Sequence, residues 1–140
     1  MKPIFYFTTL LILLSLFSCK KNPEHLDLEQ NLIGIWKYTG SGGGFTGKYE
    51  PADPAVEIIL ELKKDHTYIR TRNDEVIQSG KFDITRVRSI YSAHDEDALR
   101  FDVDKSSEVA PYIITINGNK LSLDHNAYDG ISSGYTRIGA

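Results

Sequence analysis

One cysteine, one methionine and one tryptophan among 140 residues set the first limits on this chain. With Cys19 alone, no disulfide can form within the chain, and no CxxC pair or second thiol exists to share a metal. The four histidines, His25, His66, His94 and His125, show neither HExxH nor HxH spacing. An excess of either charge is also missing, with 16 basic residues against 19 acidic and a net charge of −3. A nucleic-acid partner wants a strongly basic face, so none is expected. No apolar run reaches the roughly 20 residues that a membrane-spanning helix needs. There is no internal repeat, and beyond residue 31 no segment has the period of an amphipathic helix.

What is present begins at the N-terminus. Lys2 precedes an apolar stretch from Ile4 to Phe17, which closes on Leu16-Phe17-Ser18-Cys19. A basic start, a run of this length and a small residue before the cut are the grammar of a secretory signal. With cysteine after the cut, the arrangement resembles a bacterial lipobox. It implies a signal over residues 1–18 and lipidation of Cys19 as the mature N-terminus. Phe17 departs from the small or aliphatic residue usual at that place. Residues 19–31 then form a lipidated tether, in which Asn22-Pro23-Glu24 reads as an N-cap, a first-turn proline and an acid matched to the helix dipole. One or two helical turns are expected there. So short a tether keeps the domain close to its membrane.

The remainder, residues 32–140, is one domain's worth of chain. Its period is two. Val56, Ile58, Leu60 and Leu62 alternate with Glu57, Ile59, Glu61 and Lys63, the pattern of a strand with one apolar face. Further strands are expected at 66–72, 75–84, 87–91, 99–103, 112–116, 120–123 and 134–138. Gly80 reads as a bulge or bend. The polar His94–Asp97 reads as a connection, and Asn117-Gly118 as a hairpin turn. Eight or nine strands joined by short connections must hide their edges, and hairpins without crossovers favour closure into an up-and-down antiparallel β-barrel.

Three segments carry a family resemblance. Leu32-Ile33-Gly34-Ile35-Trp36 contains Gly-x-Trp, and Gly80-Lys81-Phe82-Asp83-Ile84 and Tyr135-Thr136-Arg137 follow at strand positions. Together they resemble the small lipocalin-like (calycin-type) bacterial lipoproteins. The resemblance implies an all-β barrel of about eight strands, with Trp36 plugging one end and Arg137 across it. It also implies an open mouth with the glycine-rich Gly40–Lys48 loop lying over it as a lid. It names no ligand.

Motifs that suggest catalysis lack their contexts. Gly42, Gly44 and Gly47 satisfy GxGxxG, and Gly42 to Lys48 satisfies most of a phosphate-binding loop, but Glu50-Pro51-Ala52-Asp53-Pro54 follows where a helix is required. Gly130-Ile131-Ser132-Ser133-Gly134 fits GxSxG, yet no histidine follows it. No catalytic residue, metal or cofactor is expected. If Tyr68 points inward, Arg70 and Arg72 share its face. A buried unpaired guanidinium is costly, so such arginines meet a carboxylate, line a wet cavity or sit at the rim. That reading gives a semi-polar pocket of Tyr68, Arg70, Tyr91, Phe101 and Tyr112 for a small amphipathic ligand. The other reading turns Ile69 inward and exposes the arginines. The expected protein is a non-enzymatic, lipid-anchored envelope barrel, held to the outer membrane through Cys19, that binds a small hydrophobic or amphipathic molecule. The alternative is a solidly packed barrel acting as a structural or interaction partner, inhibitor or assembly factor.

Overall fold

The computed structural model describes residues 23–105 and 110–140. Cys19, Asn22 and the signal segment lie outside the described residues. Among the described residues, the α-helix α1 (Pro23–Leu32) leads into nine strands. These are β1 (Gly34–Gly43), β2 (Glu50–Pro51), β3 (Ile58–Leu62), β4 (Thr67–Arg72), β5 (Glu75–Arg88), β6 (Asp95–Phe101), β7 (Tyr112–Asn117), β8 (Lys120–His125) and β9 (Ile131–Gly139). All neighbours pair antiparallel. β1 pairs with both β3 and β9, so eight strands close into a barrel and β2 is a two-residue strap on β1.

Alternation decides what fills it. Trp36, Leu60, Leu62, Tyr68, Phe82, Leu99, Phe101, Leu121, Leu123 and Tyr135 form one buried cluster with Leu32 from the end of α1. Ile59 and Ile69, on the alternate positions of β3 and β4, stay only partly buried. Closure removes the free edges that a flat meander would leave.

One end is plugged. Trp36 is fully buried, and its indole N–H donates to the Leu32 carbonyl at 2.8 Å. The Arg137 guanidinium lies over the indole, 4.2 Å from the ring centroid, and donates to the carbonyls of Ile33 (2.8 Å) and Asn31. Gly34 of Gly-x-Trp needs to be glycine, because its φ is +148° and a Cβ there would stand 2.9 Å from the Gly139 carbonyl oxygen as well as against Arg137 Nη1. His66 fastens α1 to the same end. It stacks on Phe82 with centroids 5.3 Å apart and meets Glu29 at 2.8 Å.

Several expected boundaries are corrected. The helix runs ten residues and ends against the barrel, so the expected tether is part of the folded unit from Pro23. Val87 belongs to the fourteen-residue β5, and the acidic stretch is the start of β6. The reason is the ladder with β5, in which Arg86 stands opposite Asp97 and Arg88 opposite Asp95, and the Arg86 guanidinium donates to the Asp95 carbonyl at 2.8 Å. Gly40–Gly43 continue β1, paired along β9 from Gly134 to Ile131, instead of looping free. The β7–β8 turn is centred on Gly118-Asn119, closed by the Asn117–Lys120 pair, one residue later than expected. The irregularity in β5 falls at Ile77, where Arg70 faces Gln78 and Thr71 faces Val76. Gly80 is regularly paired with Tyr68.

Candidate functional site

Two residues along each strand from the plug, the interior changes character. Tyr38 follows Trp36, Ile58 precedes Leu60, Arg70 and Arg72 follow Tyr68, and Ser133 and Tyr135 precede Arg137. These side chains, with Ile77, Phe101, Tyr112 and Leu123, line a cup of about 270 Å³ at the end opposite Trp36. Its wall has three parts. Ile58, Ile77, Phe101 and Leu123 are apolar, while Tyr38, Tyr112, Tyr135 and Ser133 bring hydroxyls. Arg70 and Arg72 bring the charge.

Packed aromatic rings hold the floor. Phe101 meets Tyr68 edge-on at 4.7 Å and Tyr112 at 5.9 Å, and Tyr38 meets Tyr135 at 5.7 Å. Burial pushes the Tyr135 phenol up from its ordinary range.

Arg70 is the group that gives the cup its sign. Its guanidinium carbon lies 5.4 Å from the centre of the Phe101 ring, and Nη1 donates to Gln78 Oε1 at 2.8 Å. Nε is buried without a hydrogen-bond partner. Gln78 in turn donates to Asp102 Oδ2 at 3.1 Å. Asp102 is largely satisfied from other sides, since Oδ1 accepts from Tyr68 at 2.7 Å and from Lys105 Nζ at 2.7 Å. Those bonds, Lys105 first, hold its carboxyl below the usual carboxylate range. Burial, then the neighbouring Asp102, pushes the Tyr68 phenol up. Gly80 leaves room for this network, because a Cβ there would stand 2.5 Å from Asp102 Oδ1.

The structure thus turns Tyr68 inward with Arg70 and Arg72, and Ile69 to the other face. Of the five residues expected to form a pocket, Arg70, Phe101 and Tyr112 line the cup. Tyr68 lies beneath it, buried against Phe101 with its hydroxyl committed to Asp102. Tyr91 is elsewhere. It is 57% exposed on the β5–β6 connection, and its hydroxyl donates to the His125 carbonyl at 2.7 Å. Asn126 secures that connection from the other side, bonding the Ile90 N–H and the Arg88 carbonyl. Arg86, Arg88 and Arg100 face outward, and Arg100 pairs with Asp83.

Sequence reasoning missed Tyr38, Tyr135, Gln78 and Asp102. The first two sit two residues from Trp36 and Arg137, so the same alternation that placed the plug would have found them. Asp102 had no such signal, because it lies past the end of β6 with a left-handed backbone (φ 56°). Among the described residues, no group of three His, Cys, Asp or Glu side chains could hold a metal. Comparison with family models, with curated proteins and with solved structures found nothing that matches this chain.

Proposed function

We propose that this chain is a lipid-anchored lipoprotein of the cell envelope, without catalytic activity, whose barrel holds a small amphipathic molecule in the cup above its packed core. The observation that carries the binding half is the lining itself. Protein interiors are close-packed, and here the lower half is a fully buried cluster around Trp36 and Leu60. The upper half keeps about 270 Å³ open, with apolar, hydroxyl and cationic side chains converging on it. Ligand sites have this composition, mostly apolar with a few placed polar groups. A solid structural barrel would account for the lower half alone.

The anchor half rests on the Leu16–Cys19 pattern, and on that reading the protein is held at the outer membrane, facing the periplasm or the surface. α1 is tied to the plugged end through Leu32, Asn31 and Glu29.

The test is native mass spectrometry of the protein extracted from its own membranes. A co-purifying small mass that is lost on denaturation is expected. Extracted protein that is bare throughout would overturn the binding half.

A further inference from the structure

The cup is cationic. Arg70 and Arg72 lie two residues apart on the same face of β4, and both line the cavity. Among the described residues neither forms an ion pair. Glu75 is the register partner of Arg72 but makes no ion pair with it. Asp102 is the nearest linked carboxylate, two hydrogen bonds away through Gln78, and Lys105 already meets it. Arg70 is also not free to leave. Gln78 holds one nitrogen, and the guanidinium rests over Phe101 while Nε stays buried and unpaired. Keeping a guanidinium half-buried and short of partners costs stability, and an oxyanion entering the cup would recover it through charge-assisted bonds.

Size narrows the class further. A dry cavity of about 150 Å³ accepts benzene, and pockets for drug-sized ligands begin near 300 Å³. At about 270 Å³ the cup takes one ring, or a short chain, plus a charged group.

We propose that the cup selects compact organic oxyanions, a carboxylate or phosphate set on a short apolar body, with the oxyanion on Arg70 and Arg72 and the apolar body against Phe101 and Leu123. This rests on the cup being a binding site at all, so the experiment separates the two statements. The full chain is held in phosphatidylcholine nanodiscs, and radiolabelled probes are equilibrated across a dialysis membrane with empty nanodiscs subtracted. The probes are 4-phenylbutyrate and phenyl phosphate as anions, 4-phenylbutanamide as the neutral match, and acetate as the anion without an apolar body.

At least one aromatic anion should bind about tenfold or more tighter than the amide, the scale of a bond to a charged group. Acetate should be weaker by a similar factor. Arg70→Gln should remove the anion's advantage over the amide, and Arg70→Lys should restore part of it. Arg100→Gln, on the outer face, should change nothing. Should the amide bind as tightly as both aromatic anions in the unaltered protein, the oxyanion inference falls and the cup remains a neutral binding site. Acetate binding as well as phenylbutyrate would remove the apolar half of the claim. If no probe binds, both statements fall together. The comparison of probes on the unaltered chain decides the matter even if an Arg70 variant does not fold.

Discussion

Replacing Gly80 by alanine should destabilise the barrel, although the same change in most strands helps. Gly80 has ordinary extended pairing with Tyr68, and its φ is not among the positive ones. Alanine at such a position normally gains about 0.5–1 kcal/mol by reducing the freedom of the unfolded chain. Here the new Cβ would sit 2.5 Å from Asp102 Oδ1 and 3.2 Å from a Tyr68 ring carbon. The carboxylate cannot step aside cheaply, because three hydrogen bonds fix it. Displacing it leaves the buried Tyr68 hydroxyl unpaired, at about 1–3 kcal/mol. The bond from half-exposed Lys105 adds no more than about 1 kcal/mol. Net of the alanine gain, Gly80→Ala should cost about 2 kcal/mol, or roughly 6–10 °C in Tm for a domain of this size. The double-mutant cycle is the sharper assay. Asp102→Gly keeps the left-handed backbone and removes the obstructing oxygen, so in that background Gly80→Ala should be neutral or stabilising. A coupling of about 2–3 kcal/mol between the two sites follows, well above the 0.5 kcal/mol scatter of independent sites. Urea melts of the four proteins measure it. Equal effects of Gly80→Ala in both backgrounds would refute the assignment of Gly80 to the space of Asp102.

Other outcomes follow from the same contacts. Arg137→Leu removes the cation from Trp36 and leaves the Ile33 and Asn31 carbonyls without their donor, a loss of about 2–3 kcal/mol readable in urea midpoints. Acid should weaken the fold through Asp102. Its carboxyl titrates below the ordinary 3.8 in the folded state, so its contribution is full above that value and is lost as pH falls through the folded pKa; Asp102→Asn should flatten the urea midpoint between about pH 5 and 2. The alkaline side has the opposite sign. The Tyr68 phenol is raised above the ordinary 10.0, so stability should drop as pH rises past 10, and Tyr68→Phe should remove part of that slope. Cys19→Ala should abolish incorporation of labelled palmitate and release the protein from membranes; labelling that persists would remove the anchor.

The strands were legible where alternation is clean, as in Val56–Leu62, since period two fixes both the element and its inner face. The turn at Asn73-Asp74 was legible for a local reason, as both residues adopt positive φ (49° and 66°). The acidic start of β6 was not, because it is held by its ladder with the far end of β5, where Arg86 and Arg88 stand opposite, a partnership that no local window contains. The same holds for Tyr91. Its ring type suggested a pocket, but its place is set by the β8–β9 connection that its hydroxyl grips. Of the candidate site, Arg70, Phe101 and Tyr112 could be reached through face-sharing with Tyr68. Gln78 and Asp102 could not, because the Ile77 irregularity and the left-handed turn at Asp102 both break the alternation by which a face is read.

The division between plug and cup follows from side-chain choice at successive inward positions. Along β1 the order is Trp36 then Tyr38, along β4 Tyr68 then Arg70, and along β9, read from the plug, Arg137 then Tyr135 then Ser133. At the plug, Arg137 spends its charge on an indole face and two carbonyls, so it is satisfied within the fold. At the cup, Arg70 has a ring beneath it and one amide beside it, with a nitrogen left over. Both guanidiniums lie within one barrel, yet only the second has capacity that the chain does not use. Stability arguments therefore belong to Trp36 and Arg137, and recognition arguments to Arg70. A substitution at Arg137 should lower melting temperature and leave ligand preference alone, whereas one at Arg70 should shift ligand preference.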